Sequence, residues 1–179
     1  EALIAKYQQI KAGLMHDLFT RGVTSDGQLR PTSAHAPTRY KESSLGLIPK
    51  EWKSFTFGNT FERVWDFRGR TPLKLGMDWG GEIPALSAMN VKMGKIDLAL
   101  ETNFGDEALY RRWMTGGDLR KGDVVLTMEA PLGNVAQIPE NQKYILSQRV
   151  IALRFNSQIA TNDFMAWLLR TSQFQRAMV

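Results

Sequence analysis

Carboxylates near a lysine, histidines able to exchange a proton, and glycine-rich turns able to cradle phosphate are the patterns through which this chain could do chemistry. Each is thinly represented. Glu51 and Lys53 flank Trp52 at a spacing used by metal-dependent nucleases. Such a site needs several clustered carboxylates, and Glu62, Asp66, Asp78 and Glu129 instead stand singly, as solvated or structural carboxylates do. His16 lies beside an apolar stripe and His35 in a polar stretch, so neither has the company a general acid or base requires. Gly80-Gly81 and Gly116-Gly117 lack the strand-turn-helix setting of a nucleotide loop, and no lysine-bearing phosphate loop occurs. A methyltransferase's glycine-rich cofactor loop and its Asn/Asp-Pro-Pro-aromatic loop are also missing. With no cysteine, disulfides and thiolate metal sites are excluded.

A second kind of chemistry, hydrogen bonding to phosphates and base edges, needs Arg, Lys, Asn and Gln. Here the chain is better supplied: Arg68, Arg70, Thr71 and Lys74; Asn90, Lys92 and Lys95; Arg111 and Arg112; Gln148 and Arg149. The net charge is +5 over 179 residues, a balance that suits a polyanionic partner without requiring one.

These side chains must be held by a fold. The 43% hydrophobic content and five tryptophans suffice for a packed core. Leu3, Ile4, Tyr7, Ile10, Leu14, Met15, Leu18 and Phe19 recur at spacings of three and four, which predicts an amphipathic helix. Arg21 suits its C-terminus, and Gly22 is placed to end it in a left-handed conformation. From Val23 to Pro49, Thr, Ser, Gly and Pro dominate, predicting a linker or an irregular wrapped segment. Beyond it, strands are expected at 83–87, 123–128, 134–138 and 150–155, each bounded by Gly, Pro or Asn. Short helices are expected at 106–114 and 162–170, with further helical pattern at 174–178. The strands are short and do not alternate regularly with helices. The expected class is therefore α+β, a mixed β-sheet domain with short helices behind an amphipathic helix. No run is apolar enough to span a membrane, and a cytoplasmic location is expected.

Several segments, in order, carry a resemblance. The stretch from Leu3 to Val23 looks like the end of a spacer helix, and Pro49-Lys50-Glu51-Trp52 like the opening of a recognition domain. Arg68-Gly-Arg-Thr-Pro72 and Gly80-Gly-Glu-Ile-Pro84 follow, then Lys121 to Thr127, Gly133-Asn-Val-Ala136, Ser147-Gln-Arg-Val150 and Asp163 to Leu169. Together they resemble the specificity subunits of type I restriction-modification enzymes over nearly the whole chain. The resemblance implies a spacer-helix tail at 1–22, a linker at 23–50 and one target recognition domain at 51–179, its closing helix continuing past Val179. Full subunits carry two such domains, and the order helix then domain corresponds to the second. What it further implies is a non-catalytic reader of one half of a bipartite site in double-stranded DNA. Partner methyltransferase subunits would bind S-adenosylmethionine, and restriction subunits would use ATP and magnesium. No cofactor is expected on this chain. Leu3, Tyr7, Ile10, Leu14 and Leu18 would pack on a partner helix or form a homodimer.

The resemblance also sorts the candidate contacts. Arg68, Arg70, Thr71 and Lys74 belong to a shared signature and are expected to position phosphates. Gln148 and Arg149 also lie in a shared motif, where packing or phosphate contact is expected. Asn90, Lys92, Lys95, Arg111 and Arg112 fall outside the shared motifs and are the expected base readers. The plainer readings are an ordinary loop for 90–95 and a solvated helix face for 111–112, with Trp113 in the core. Two competing functions remain: an element that docks methyltransferase subunits without reading DNA, and a stand-alone nuclease.

Overall fold

The computed structural model describes residues 1–178, which form an α+β protein in two compact units, 1–56 and 57 onward. Among the described residues, no helix is long and apolar enough to cross a membrane.

The first unit opens with α1 (Ala2–Thr20), no residue of which is buried. Its apolar stripe is open, with Leu3 at 63% and Ile10 and Leu14 each at 53% exposure. Gly22 ends it at φ +60°, its N–H donating to the Asp17 carbonyl at 3.1 Å. Glycine is needed there twice over, because a Cβ would also lie 2.6 Å from the Trp52 ring.

The segment expected as a linker is folded. β1 (Tyr40–Ser43) and β2 (Gly46–Pro49) form a hairpin in the register Tyr40 to Pro49. Tyr40 and Ile48 are buried, and the Tyr40 hydroxyl donates to the Pro31 carbonyl at 2.6 Å. Val23 and Leu29 make an isolated bridge. A four-residue strand with alternate exposure has too few apolar positions to announce itself by periodicity. The first compact unit ends at Thr56.

The second unit holds, in order, β3 (Phe61–Asp66), β4 (Ile83–Leu86), β5 (Val91–Lys92), β6 (Lys95–Ile96), β7 (Asn103–Gly105) and α2 (Glu107–Trp113). Then come β8 (Val124–Thr127), β9 (Val135–Gln137), β10 (Ile145–Leu146), β11 (Val150–Phe155), α3 (Asn162–Leu169) and α4 (Ser172–Ala177). The main sheet is antiparallel in the order β3-β11-β8-β9. A smaller sheet, β10-β4-β7, pairs β10 parallel and β7 antiparallel to β4, and β5-β6 is a separate hairpin.

The central strands β8 and β11 of the main sheet are buried on both faces, which explains why β8 reads as continuous Val-Val-Leu. Val125 and Ala152 face a core with Trp65, Leu86, Leu109, Trp113, Tyr144 and Ile145. Val124, Leu126, Leu153 and Phe155 face Met165, Ala166 and Leu169 of α3. The helix starts are marked by side chains: Asp106 accepts from the Leu109 N–H at 2.7 Å, and Thr161 from that of Phe164 at 3.2 Å. The Gly80-Gly81 pair has a packing role, because a Cβ on Gly81 would lie 2.6 Å from the Gly105 carbonyl oxygen.

Candidate nucleic-acid interface

One end of the main sheet gathers three loops. β3 finishes at Asp66 opposite Ile151, β11 begins at Val150 opposite Thr127 of β8, and Leu126 lies opposite Val135 of β9. The segments 67–74, 128–134 and 147–149 therefore leave or enter the sheet on one side. The β5-β6 hairpin joins them at β9: the Gly94 N–H donates to the Val135 carbonyl at 2.7 Å, and the Asn134 amide to that of Val91 at 2.9 Å.

Arg68, Gln148 and Arg149 are exposed at this end. Arg68 forks onto Asp66, Nε to Oδ1 at 2.9 Å and Nη2 to Oδ2 at 2.6 Å. This bond holds the Asp66 carboxyl below the usual carboxylate range. Arg149 sits 3.8 Å from Glu129, and its backbone carbonyl accepts from the Met128 N–H at 2.8 Å, which ties the two loops together. Glu129 also acts electrostatically on Arg68. Thus two arginines and two carboxylates meet where four sequence-distant segments end.

Several expected contacts stand elsewhere or are committed. Arg70 turns inward: its guanidinium donates to the Trp113 carbonyl and to Thr115 Oγ1, and lies 4.4 Å over the Phe67 ring. It satisfies a carbonyl at the end of α2, so in this structure it holds the 67–74 loop rather than presenting charge outward. Lys74 donates from Nζ to the Gly69 carbonyl at 2.7 Å, and Thr71 Oγ1 accepts from the Lys74 N–H at 3.2 Å. Both stabilise the loop's turn.

The expectation for Asn90 needs correcting. Its side chain is fully buried; Oδ1 accepts from the Ser87 N–H and hydroxyl, and Nδ2 donates to Thr102 Oγ1 at 2.8 Å. Those bonds close the 87–102 loop, and no edge of the amide is left for a base. Lys95 is exposed and bonds Asp97 at 2.9 Å, and Lys92 acts electrostatically on the same carboxylate. The hairpin thus keeps its two lysines near this end of the sheet with one counter-charge between them.

Arg111 and Arg112 ride on α2. Arg111 is paired with Glu107 at 2.9 Å, and Lys143 bonds the same carboxylate at 2.6 Å, so Glu107 is held below its ordinary pKa, chiefly by Lys143. Arg112 is exposed and has no bonded partner among the described residues. Trp113 is fully buried and donates to the Leu146 carbonyl at 2.8 Å, as the core reading of that residue expects.

The carboxylates Asp66 and Glu129 were not expected at the site. Asp66 had a visible signal, a carboxylate two residues before an arginine; Glu129 had none, because its partner is twenty residues away. Among the described residues, no three His, Cys, Asp or Glu side chains are grouped as metal ligands. A cleft of about 310 Å³ lies at the opposite end of the main sheet, lined by Glu62, Lys121, Arg154 and Asp163, whose charges cancel. No family model matches this chain.

Proposed function

We propose that this chain is a DNA sequence-reading module of the kind found in type I restriction-modification specificity subunits, and that its partners perform the catalysis. One observation carries the reading. The segments 68–72, 133–136 and 147–150, separately singled out by the resemblance, converge at one end of the main sheet with Arg68, Gln148 and Arg149 exposed. Duplex DNA offers that surface neutral acceptors on base edges and charged phosphates alongside. The two hairpin lysines beside it suit the phosphates. In this reading methyltransferase subunits bearing S-adenosylmethionine and restriction subunits using ATP and magnesium act where the module binds. The open stripe of α1 supports a helix-packing role toward those subunits or a second copy.

The test is duplex binding by fluorescence anisotropy across several salt concentrations, followed by methylation mapping in cells that also carry a partner methyltransferase. Binding should weaken steeply with salt, and methylated sites should share one half-sequence. The purified chain should neither cleave nor methylate DNA with magnesium, ATP and S-adenosylmethionine. Turnover abolished by a point substitution here would overturn the non-catalytic reading. Absent duplex binding, with methyltransferase binding retained, would leave only a docking element.

A further inference from the structure

Building on that reading, we propose that Arg149 contacts a guanine base rather than a phosphate, and that Glu129 is its positioning residue. The backbone supplies the first argument. Arg149 has φ +66°, a left-handed conformation that costs a residue with a Cβ and that glycine adopts freely. A chain that keeps arginine there forgoes the relaxed choice, and strain of this kind is sustained where the side chain has work to do. Ala130, on the facing loop, is the other non-glycine residue with positive φ among those described. One strained position thus carries the arginine and the other directly follows Glu129.

The side chain supplies the second. Arg149 is 53% exposed, and Glu129 Oε2 stands 3.8 Å from its Nε, too far for a hydrogen bond. Among the described residues neither Nη1 nor Nη2 has a hydrogen-bond partner. Those two nitrogens match the O6 and N7 acceptors of guanine in the major groove. Arg68 differs: Asp66 occupies its Nε and Nη2, leaving one terminal nitrogen.

The third argument is the local charge. Asp66 and Glu129 cancel Arg68 and Arg149, so the cluster has no net attraction for a phosphate, and the carboxylate beside Arg149 repels one directly. A base edge is neutral and suffers no such repulsion. The tether from the Met128 N–H to the Arg149 carbonyl at 2.8 Å keeps the tip rigid, as a directional contact requires.

The full chain should be used to select bound duplexes from a randomised double-stranded oligonucleotide pool, with affinities then measured on the selected site and its single-base variants. Wild type should require guanine at one position. Arg149→Ala and Arg149→Gly should lose that preference by roughly 5- to 150-fold with the salt slope unchanged. Arg149→Gly should also leave Tm unchanged or raise it by a few degrees, relief of strain being partly offset by the freer unfolded chain. Glu129→Gln should weaken the same preference and raise affinity for unrelated duplexes. A uniform loss on every duplex, with a salt slope smaller by about 0.9, makes Arg149 a phosphate contact and overturns the proposal. A fall in Tm for Arg149→Gly does so too, by making the side chain structural. If wild type selects a site and the Arg149 variants select the same one, this assignment alone fails. If wild type selects no sequence, the DNA-reading function fails and the assignment falls with it.

Discussion

Strand β11 has an arginine at each end, and the two have opposite fates. Arg154 is buried at the cleft end. Its Nε and Nη2 fork onto Asp123 at 2.8 and 2.6 Å, and its guanidinium lies 4.8 Å over the Trp65 ring. Asp123 is only 1% exposed, and its Oδ2 also accepts from the Arg120 N–H at 2.7 Å. Arg149, just before the strand's first residue, is half exposed beside an exposed Glu129 at 3.8 Å. Both are Arg–carboxylate pairs. The first commits its Nε and Nη2 to a buried carboxylate, and the second leaves both terminal nitrogens open. A pair's geometry and burial, rather than its residue types, decide whether an arginine serves stability or a ligand.

The largest expected effect breaks the buried member. Arg154→Ala or Asp123→Ala should lower unfolding free energy by about 3–5 kcal/mol in urea titrations, because each leaves an uncompensated buried charge. Glu129→Gln, removing the exposed partner, should cost no more than about 1 kcal/mol. Equal losses at the two ends would erase the distinction.

An intermediate effect is expected at the two inward-turned residues expected to touch DNA. Arg70→Ala should destabilise by about 1.5–3 kcal/mol, since it removes a charged hydrogen bond to the Trp113 carbonyl. It should leave the salt slope of DNA binding at the wild-type value. Asn90→Ala should cost about 1–3 kcal/mol through the donors and acceptors it strands in the 87–102 loop. A reduced salt slope for Arg70→Ala would return that residue to the phosphate contacts.

Smaller still is the contribution of Asp66. Its folded pKa is depressed by Arg68, so the stability it adds is present above the unfolded carboxylate pKa and is lost as pH falls through the folded value. The side chain is 39% exposed, so solvent screening limits the effect to a few tenths of a kcal/mol. NMR titration should show the Asp66 pKa rising toward that of a free carboxylate in Arg68→Ala. The least effect on folding belongs to α1: Leu14→Asp should change stability by under about 0.5 kcal/mol, because the position is 53% exposed. If the stripe binds a second copy, the same substitution should abolish self-association in sedimentation.

Local sequence alone determined a good deal of this protein. Gly22 marks the end of α1, Asp106 and Thr161 mark helix starts, and the β-branched runs at 123–128 and 150–155 mark the central strands of the main sheet. Each depends on interactions within a few residues, so the pattern is complete inside a short window. β3 escaped because Val64 is exposed and Glu62, Arg63 and Asp66 break the apolar run, and the 40–49 hairpin because only Tyr40, Ile48 and Pro49 are buried. What only the tertiary structure decided is the use of each polar side chain. Arg70 finds its carbonyl forty-three residues away, Arg154 its carboxylate thirty-one away, and Arg149 the Glu129 side chain on a separate loop. Nothing in the types or spacing of these arginines separates them. Burial and partner geometry do, and both arise only when strands distant in sequence are brought into one sheet.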